Sequence, residues 1–408
     1  MYGISLEGGG GKGAYQVGAW KALKELNIDY GGVTGTSVGA INGAFMIQDD
    51  LEEAIEIWSD IAPSMLFDID HSLQDRIKKL EKLPGHLSGL FRYMQYAVRE
   101  KGLDITPMRK LLEKHIDEKK IRQSKKDYGL VTVSLTERTP MEMFIEDIPK
   151  DKLIEYIIAS SSLPFFKDQE IEGKRFIDGG FYDLLPINML IDKGYKDIIA
   201  ISIKGMGIRR KVKNKEANIT LIQPRESLGA ILEFSPARSK TNIKLGFYDT
   251  LRAFNHYLGN KYYIDEVESE DYYFQKICRI DETEISPLLE KLKLPAGDAF
   301  RKSIFEKLIP YIAKALKLDK KASYRDIVLA LLEHTAERQN IERFQVHSYH
   351  DFKNKVASAP VKELKKERKG VRLFKKSDLL PWHMREETIT KFTRLLLSKE
   401  INGTKNSF

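Results

Sequence analysis

A single cysteine, Cys278, stands in 408 residues, which rules out a disulfide framework and any cysteine-rich metal centre. No apolar run approaches the ~18–20 residues that a bilayer-spanning helix requires. Histidine is sparse as well. His71, His86, His115, His256, His334, His347, His350 and His383 are scattered, and none occupies a glycine-flanked turn. Metal ligands are not clustered, so neither a metal nor a cofactor is expected. Tyr2–Leu6 runs straight into a glycine-rich stretch, so a cleavable leader is not expected and the chain reads as intracellular and cytoplasmic. What the chain does have is a hydrophobic content of 42% alongside 31% charged residues, enough for a large core with a well-solvated surface.

Positive charge is in excess by 8, and it is unevenly placed. From residue 260 onward there are 30 basic and 23 acidic residues, leaving the first 259 at only +1. Residues 351–408 alone carry 15 basic against 7 acidic residues. Such a stretch favours an anionic partner.

The densest chemical signal is Gly35-Thr36-Ser37-Val38-Gly39, a G-x-S-x-G on the seam between an apolar run and a helix rich in small residues. A strand that turns sharply through a serine into a helix leaves the hydroxyl exposed above the sheet, and the helix N-terminus favours negative charge beside it. A Gly/Ser turn of this length also arises without chemistry. Upstream, Gly8-Gly9-Gly10-Gly11-Lys12-Gly13 lies between an apolar strand and a helix on which Val17, Trp20, Leu23 and Leu26 recur. Backbone amides at such a helix start hold anions, and beside a serine nucleophile the useful anion is the oxyanion of an acyl intermediate. A P-loop is excluded because Leu6 occupies its first glycine position and Gly13 follows Lys12. A dinucleotide fingerprint does fit Gly8, Gly10 and Gly13, with Asp29 at ribose-binding distance, and stays open as the rival reading. The third element is Asp178-Gly179-Gly180, an aspartate at the end of an apolar segment. Taken alone it reads as a turn aspartate.

In this order and at these intervals the three elements resemble the patatin-like phospholipase family. Asp104–Leu112 and Ala159–Phe166 are similar to further family segments, and the likeness extends over roughly residues 1–255. The resemblance implies a Ser–Asp dyad without histidine: Ser37 as nucleophile, Asp178 as base, and amides of the Gly8–Gly13 loop as oxyanion donors. It implies a serine acyl hydrolase acting on phospholipid or other acyl-lipid esters. Lys12 matches a basic position of the family loop, with no catalytic role evident from the residues themselves.

The expected architecture is α/β: a mostly parallel sheet with helices on both faces in a three-layer sandwich, a helical cap, and a mainly helical C-terminal extension. The hydrolase domain is placed at 1–259, its cap at 64–125 and the basic extension at 260–408. Cap pieces at Ser72–Leu83, His86–Glu100 and Pro107–Ile116 are amphipathic, and Leu87, Leu90, Phe91, Met94 and Tyr96 suit lipid contact or packing onto the domain. Arg209, Arg210, Lys211, Lys213 and Lys215 read as a solvated basic connection. In the tail, Lys362, Lys365, Lys366, Arg368, Lys369, Arg372, Lys375 and Lys376 interleave with Leu373, Phe374, Leu379, Leu380 and Trp382. This pattern suits peripheral contact with an anionic membrane, and an ordinary solvated helix accounts for it equally. Nucleic acid is not expected, since no recognition motif accompanies the charge.

Overall fold

The computed structural model describes residues 1–68, 102–164, 166–167, 169–214, 216–360 and 382–398. The cap pieces at 72–83 and 86–100, with their proposed lipid-facing residues, lie outside the described residues. So do the tail cations from Lys362 to Lys376 and the apolar residues from Leu373 to Leu380. Met1–Asn255 and His256–Phe408 are two compact units.

The first unit is built on a mixed sheet. Its parallel part comprises β1 (Tyr2–Leu6), β2 (Tyr30–Thr36), β3 (Asp127–Ser134), β7 (Asp197–Ile201) and β8 (Asn218–Ile222). Antiparallel strands β4 (Thr139–Phe144), β5 (Gln169–Ile171) and β6 (Lys174–Asp178) finish one side, in the order β5-β6-β3-β2-β1-β7-β8 with β4 also on β3. Every residue of β2 is buried, as expected of a strand covered on both faces. The two faces follow from strand alternation. The position of Val33 faces Gly43 of helix α2 (Val38–Gln48), while Gly32 faces the Tyr195 hydroxyl on the opposite side.

Local chemistry sets the helix limits. Helix α1 (Ala14–Glu25) follows the glycine loop and buries Val17, Trp20 and Leu23. Asp49, in the left-handed region at φ 63°, ends α2, and Glu52 and Glu53 favour the start of α3 (Leu51–Asp60). Helix α4 (Thr106–His115) opens with Pro107, and α5 (Glu118–Gln123) is capped by Asp117, which accepts from the Lys119 and Lys120 amides. Helix α6 (Leu153–Ser160) is followed by the serine-rich segment, α7 (Ile187–Asp192) packs on β1 and β2, and α8 (Pro236–Asn255) packs along α1.

The second unit is mainly helical, with a parallel pair of short strands, β9 (Tyr263–Asp265) and β10 (Val346–Ser348). Ile304, Leu308, Ile312, Ile327 and Leu331 are buried together in its core. The four-residue repeat over Phe300–Leu316 falls on helix, as a helical extension requires. A π-helical turn at Ile304–Leu308 interrupts it, beside Pro310, which has no amide to donate. Glu333 pins the start of this unit: one carboxylate oxygen accepts the amides of Asn260, Lys261 and Tyr262 at 2.7, 2.9 and 2.8 Å. No helix of the described residues is long and apolar enough to cross a membrane.

Candidate active site

Ser37 occupies the turn between β2 and α2 at φ 57° and ψ −127°, a conformation that costs a non-glycine residue free energy and persists only where neighbours enforce it. Two close approaches do so. A Cβ on Gly39 would lie 2.4 Å from the Leu6 carbonyl oxygen, and one on Gly35 would lie 2.2 Å from the Gly39 carbonyl oxygen. The Ser37 amide donates to Ser160 Oγ at 3.0 Å, and the Thr36 hydroxyl donates to the Asp183 carbonyl at 2.7 Å. Val38 begins α2, so the helix N-terminus lies directly beside the serine.

Strand register brings Asp178 to the same place. Val131 of β3 is registered to Thr36, and the next residue, Thr132, to Asp178 at the end of β6. The chain then turns through Gly179 and Gly180. A Cβ on Gly179 would sit 2.1 Å from the Val131 carbonyl oxygen, so the turn lies hard against β3. Asp178 is buried and accepts the Gly180 amide at 2.7 Å, with the Ser37 side chain beside its carboxyl. Burial pushes its carboxyl up to about 6, against the opposing pull of the Gly180 amide and the Ser37 hydroxyl. The Ser162 carbonyl holds the Asp178 amide at 2.8 Å, so the end of α6 and the serine segment after it grip both residues.

The glycine loop is only partly free to act. The amides of Gly8, Gly11 and Lys12 donate to Leu184, Ile231 and Gly9 carbonyls at 3.0, 2.7 and 3.4 Å. Among the described residues no acceptor is found for the Gly9 and Gly10 amides. Three of the six amides of the Gly8–Gly13 loop are therefore engaged within the fold. Gly10, at φ 56°, must be glycine, since a Cβ there would meet the Ile231 carbonyl oxygen at 2.3 Å. The same segment packs on the loop at Gly11, where a Cβ would lie 2.5 Å from the Glu233 carbonyl oxygen. Lys12 sends its ammonium to the Lys204 carbonyl at 2.8 Å, and burial lowers its pKa while Glu7 opposes the shift.

An apolar pocket opens from this point, with an empty volume of about 750 Å³ counting the open space at its mouth. Ile41, Phe45, Ile57, Trp58, Ile61, Phe67, Met108, Leu112, Phe166 and Phe234 form most of its wall. Ser37, Ser161 and Gly10 also line it, and among the described residues no charged residue or histidine does. Among the described histidines, His115 pairs with Glu53, His334 with Glu386 and His350 with Glu268. His71 and His86 lie outside the described residues.

Several supporting residues escape sequence reasoning. Asn42 donates to the Gly13 carbonyl at 3.0 Å and to Gln16 Oε1 at 2.8 Å, and accepts from the Trp58 indole at 2.9 Å. Gln16 in turn donates to the Glu7 carbonyl at 2.7 Å. Both ends of the glycine loop are thus tied to one buried polar chain. The one sequence hint is a glutamine on the apolar face of α1. Glu7, fully buried, accepts from Ser202, Ile203 and Gly205 and pairs with Arg209 at 2.5 Å. The solvated connection expected there is exposed at Arg209, Lys211 and Lys213, but Arg209 and Arg210 are also tied to Glu7 and Glu142.

Residues 4–191 match the family described as patatin-like phospholipase. The chain is similar to lysophospholipase NTE1 of Kluyveromyces lactis, 24% identical over 207 residues. That match covers 49% of this chain and only 12% of the longer protein. Among solved structures it is similar to VipD from Legionella pneumophila at a TM-score of 0.41 and 12% identity, over 100% of this chain and 93% of the other. That likeness is too slight to bear on the fold.

Proposed function

We propose that this chain, whose residues 4–191 belong to the patatin-like phospholipase family, is a serine acyl hydrolase cleaving lipid esters with a Ser37–Asp178 dyad. The observation that carries the proposal is the Ser37 side chain set beside the buried Asp178 carboxyl, at the end of an apolar pocket. Asp178 takes the hydroxyl proton as Ser37 Oγ attacks the ester carbonyl carbon. The negative charge that develops on the carbonyl oxygen is met by the Gly9 and Gly10 amides. The intermediate collapses, the alcohol leaves with the proton from Asp178, and the acyl group remains on Ser37. Asp178 then deprotonates a water that attacks the acyl-enzyme and restores the hydroxyl.

Two features make a carboxylate a workable base here. Burial raises its affinity for the proton, to about 6 against an ordinary value near 4. The N-terminus of α2 stabilises charge on the attacking oxygen. The apolar pocket suits an acyl chain, and a phospholipid or lysophospholipid ester is the substrate class that fits a family of lipases. The test is labelling by a fluorophosphonate followed by peptide mass spectrometry. Adduct on Ser37, with loss of labelling and of lipid hydrolysis in a folded Ser37→Ala chain, is the expected result. Labelling elsewhere, or hydrolysis that survives the substitution, would overturn the reading.

A further inference from the structure

Residues 204–213 combine two properties that a simple connection does not need. The ten residues hold five cations, Lys204, Arg209, Arg210, Lys211 and Lys213, and no carboxylate. Among them Met206 and Ile208 stand 77% and 56% exposed. Phe181, just after the Asp178 turn, is 51% exposed. The three belong to one surface, because the Ile208 amide donates to the Gly180 carbonyl at 2.9 Å and its carbonyl accepts the Leu184 amide at 2.6 Å.

The segment is fixed, and it is fixed to the candidate active site. A Cβ on Gly205 would lie 2.0 Å from the Gly8 carbonyl oxygen, and one on Gly207 would lie 2.6 Å from that of Gly180. Arg209 pairs with buried Glu7, Arg210 with Glu142 at 2.9 Å and Lys213 with Asp192 at 2.5 Å. Lys204 and Lys211 have no acidic partner among the described residues and are exposed. Apolar tips held out by a pinned backbone, beside cations that lack counter-charges, mark an interaction surface.

We propose that residues 204–213 together with Phe181 form a docking surface for an anionic lipid bilayer. Met206, Ile208 and Phe181 enter the interface while Lys204 and Lys211 meet anionic head groups, each favouring the membrane about fivefold at low salt. Docking there sets the glycine loop and the Asp178 turn beside the membrane that holds an acyl-lipid substrate. The catalytic use of the surface rests on the lipid-ester reading above, whereas the binding does not.

The experiment uses the full chain carrying Ser37→Ala, so that vesicles survive, in flotation assays with phosphatidylcholine vesicles with and without phosphatidylglycerol at low and high salt. Binding to the anionic vesicles, weakened by salt, and reduced about tenfold or more by Met206→Ser with Ile208→Ser, is expected. A Met206→Trp chain adds a blue shift in fluorescence on adding anionic vesicles, beyond that of its parent. Equal flotation of parent and double variant, or no added shift, overturns the proposal. So does a parent that self-associates without vesicles through the same two residues, which makes the patch an interface between copies. With Ser37 intact, the double variant keeps its turnover of a water-soluble short-chain ester and loses turnover of vesicle lipid. A chain that binds vesicles through this loop yet hydrolyses no ester refutes the hydrolase reading alone. Hydrolysis of vesicle lipid undiminished in the double variant refutes the docking surface alone.

Discussion

Replacing the proposed base should stabilise the protein that it disables. Asp178 is buried, and burial lifts its carboxyl to about 6. An acid with its folded pKa raised favours the protonated form, so its contribution to stability is complete below about 4 and is lost as pH rises through about 6. A lift of about 2 units corresponds to ~3 kcal/mol by pH 7.5. Asp178→Asn removes that charge and keeps an oxygen for the Gly180 amide, so the variant should gain about 1–3 kcal/mol at pH 7.5 and nothing near pH 4. Asp183, also pushed up to about 6 by burial, is present in both chains and cancels in the difference. Denaturant unfolding, followed through buried Trp20 and Trp58 in a chain with Trp382→Phe, reads the first unit. Lipid hydrolysis in the same variant should fall to the level of Ser37→Ala, because the two residues act as one unit. An Asp178→Asn chain that is less stable at pH 7.5, or whose offset is the same at both pH values, refutes the argument.

Three further outcomes follow from the same geometry. Gly10→Ala puts a Cβ 2.3 Å from the Ile231 carbonyl oxygen and must shift the loop, so it should lower kcat by about 10²–10³ by misplacing the loop amides; steady-state kinetics on a soluble ester decide it, with unfolding to show that the fold is kept. Asn42→Leu leaves the Gly13 carbonyl and the Trp58 indole without their partner and should cost about 1–3 kcal/mol, measured by the same unfolding assay. Ile57→Trp, on the pocket wall, should depress kcat/KM for long-chain esters at least tenfold while sparing short-chain ones. An equal loss for both chain lengths would disconnect that pocket from the acyl chain.

Much of the fold was legible because its signals are local. The glycine loop, the G-x-S-x-G turn and the apolar runs at Gly129–Leu135 and Asp197–Ile203 each announce a strand end or a strand within a few residues. The observed strands start and stop within about two residues of those runs. Alternation of strands and helices gave the mostly parallel sheet, and the antiparallel β5–β6 pair was not evident. Its three- and five-residue strands are polar and short, and their pairing is set by the register of β3, which no local pattern encodes. For the candidate site, the residue positions could be named from the sequence, and their support could not. Gln16, Asn42 and Trp58 meet only after three helices pack, and Glu7 finds Arg209 across about two hundred residues of chain. The choice of Gly9 and Gly10 among the loop amides depends on acceptors at Leu184 and Ile231, far along the chain.

The register of β3 against its two neighbours also has a meaning in time. Ribosomal synthesis delivers Ser37 well before Asp178, and β2 can pair with β1 as soon as both have emerged. The carboxylate at 178 arrives only after β3 and the serine-rich end of α6, and it finds its place by pairing with Thr132 of β3. On the proposed chemistry, a nascent or truncated chain ending before that pairing has a nucleophile without a base. Long-range pairing is among the slower events of folding. Competence would therefore switch on only once the β6–β3 pairing sets Asp178 beside Ser37, and a chain ending before that pairing would leave nearby lipids intact.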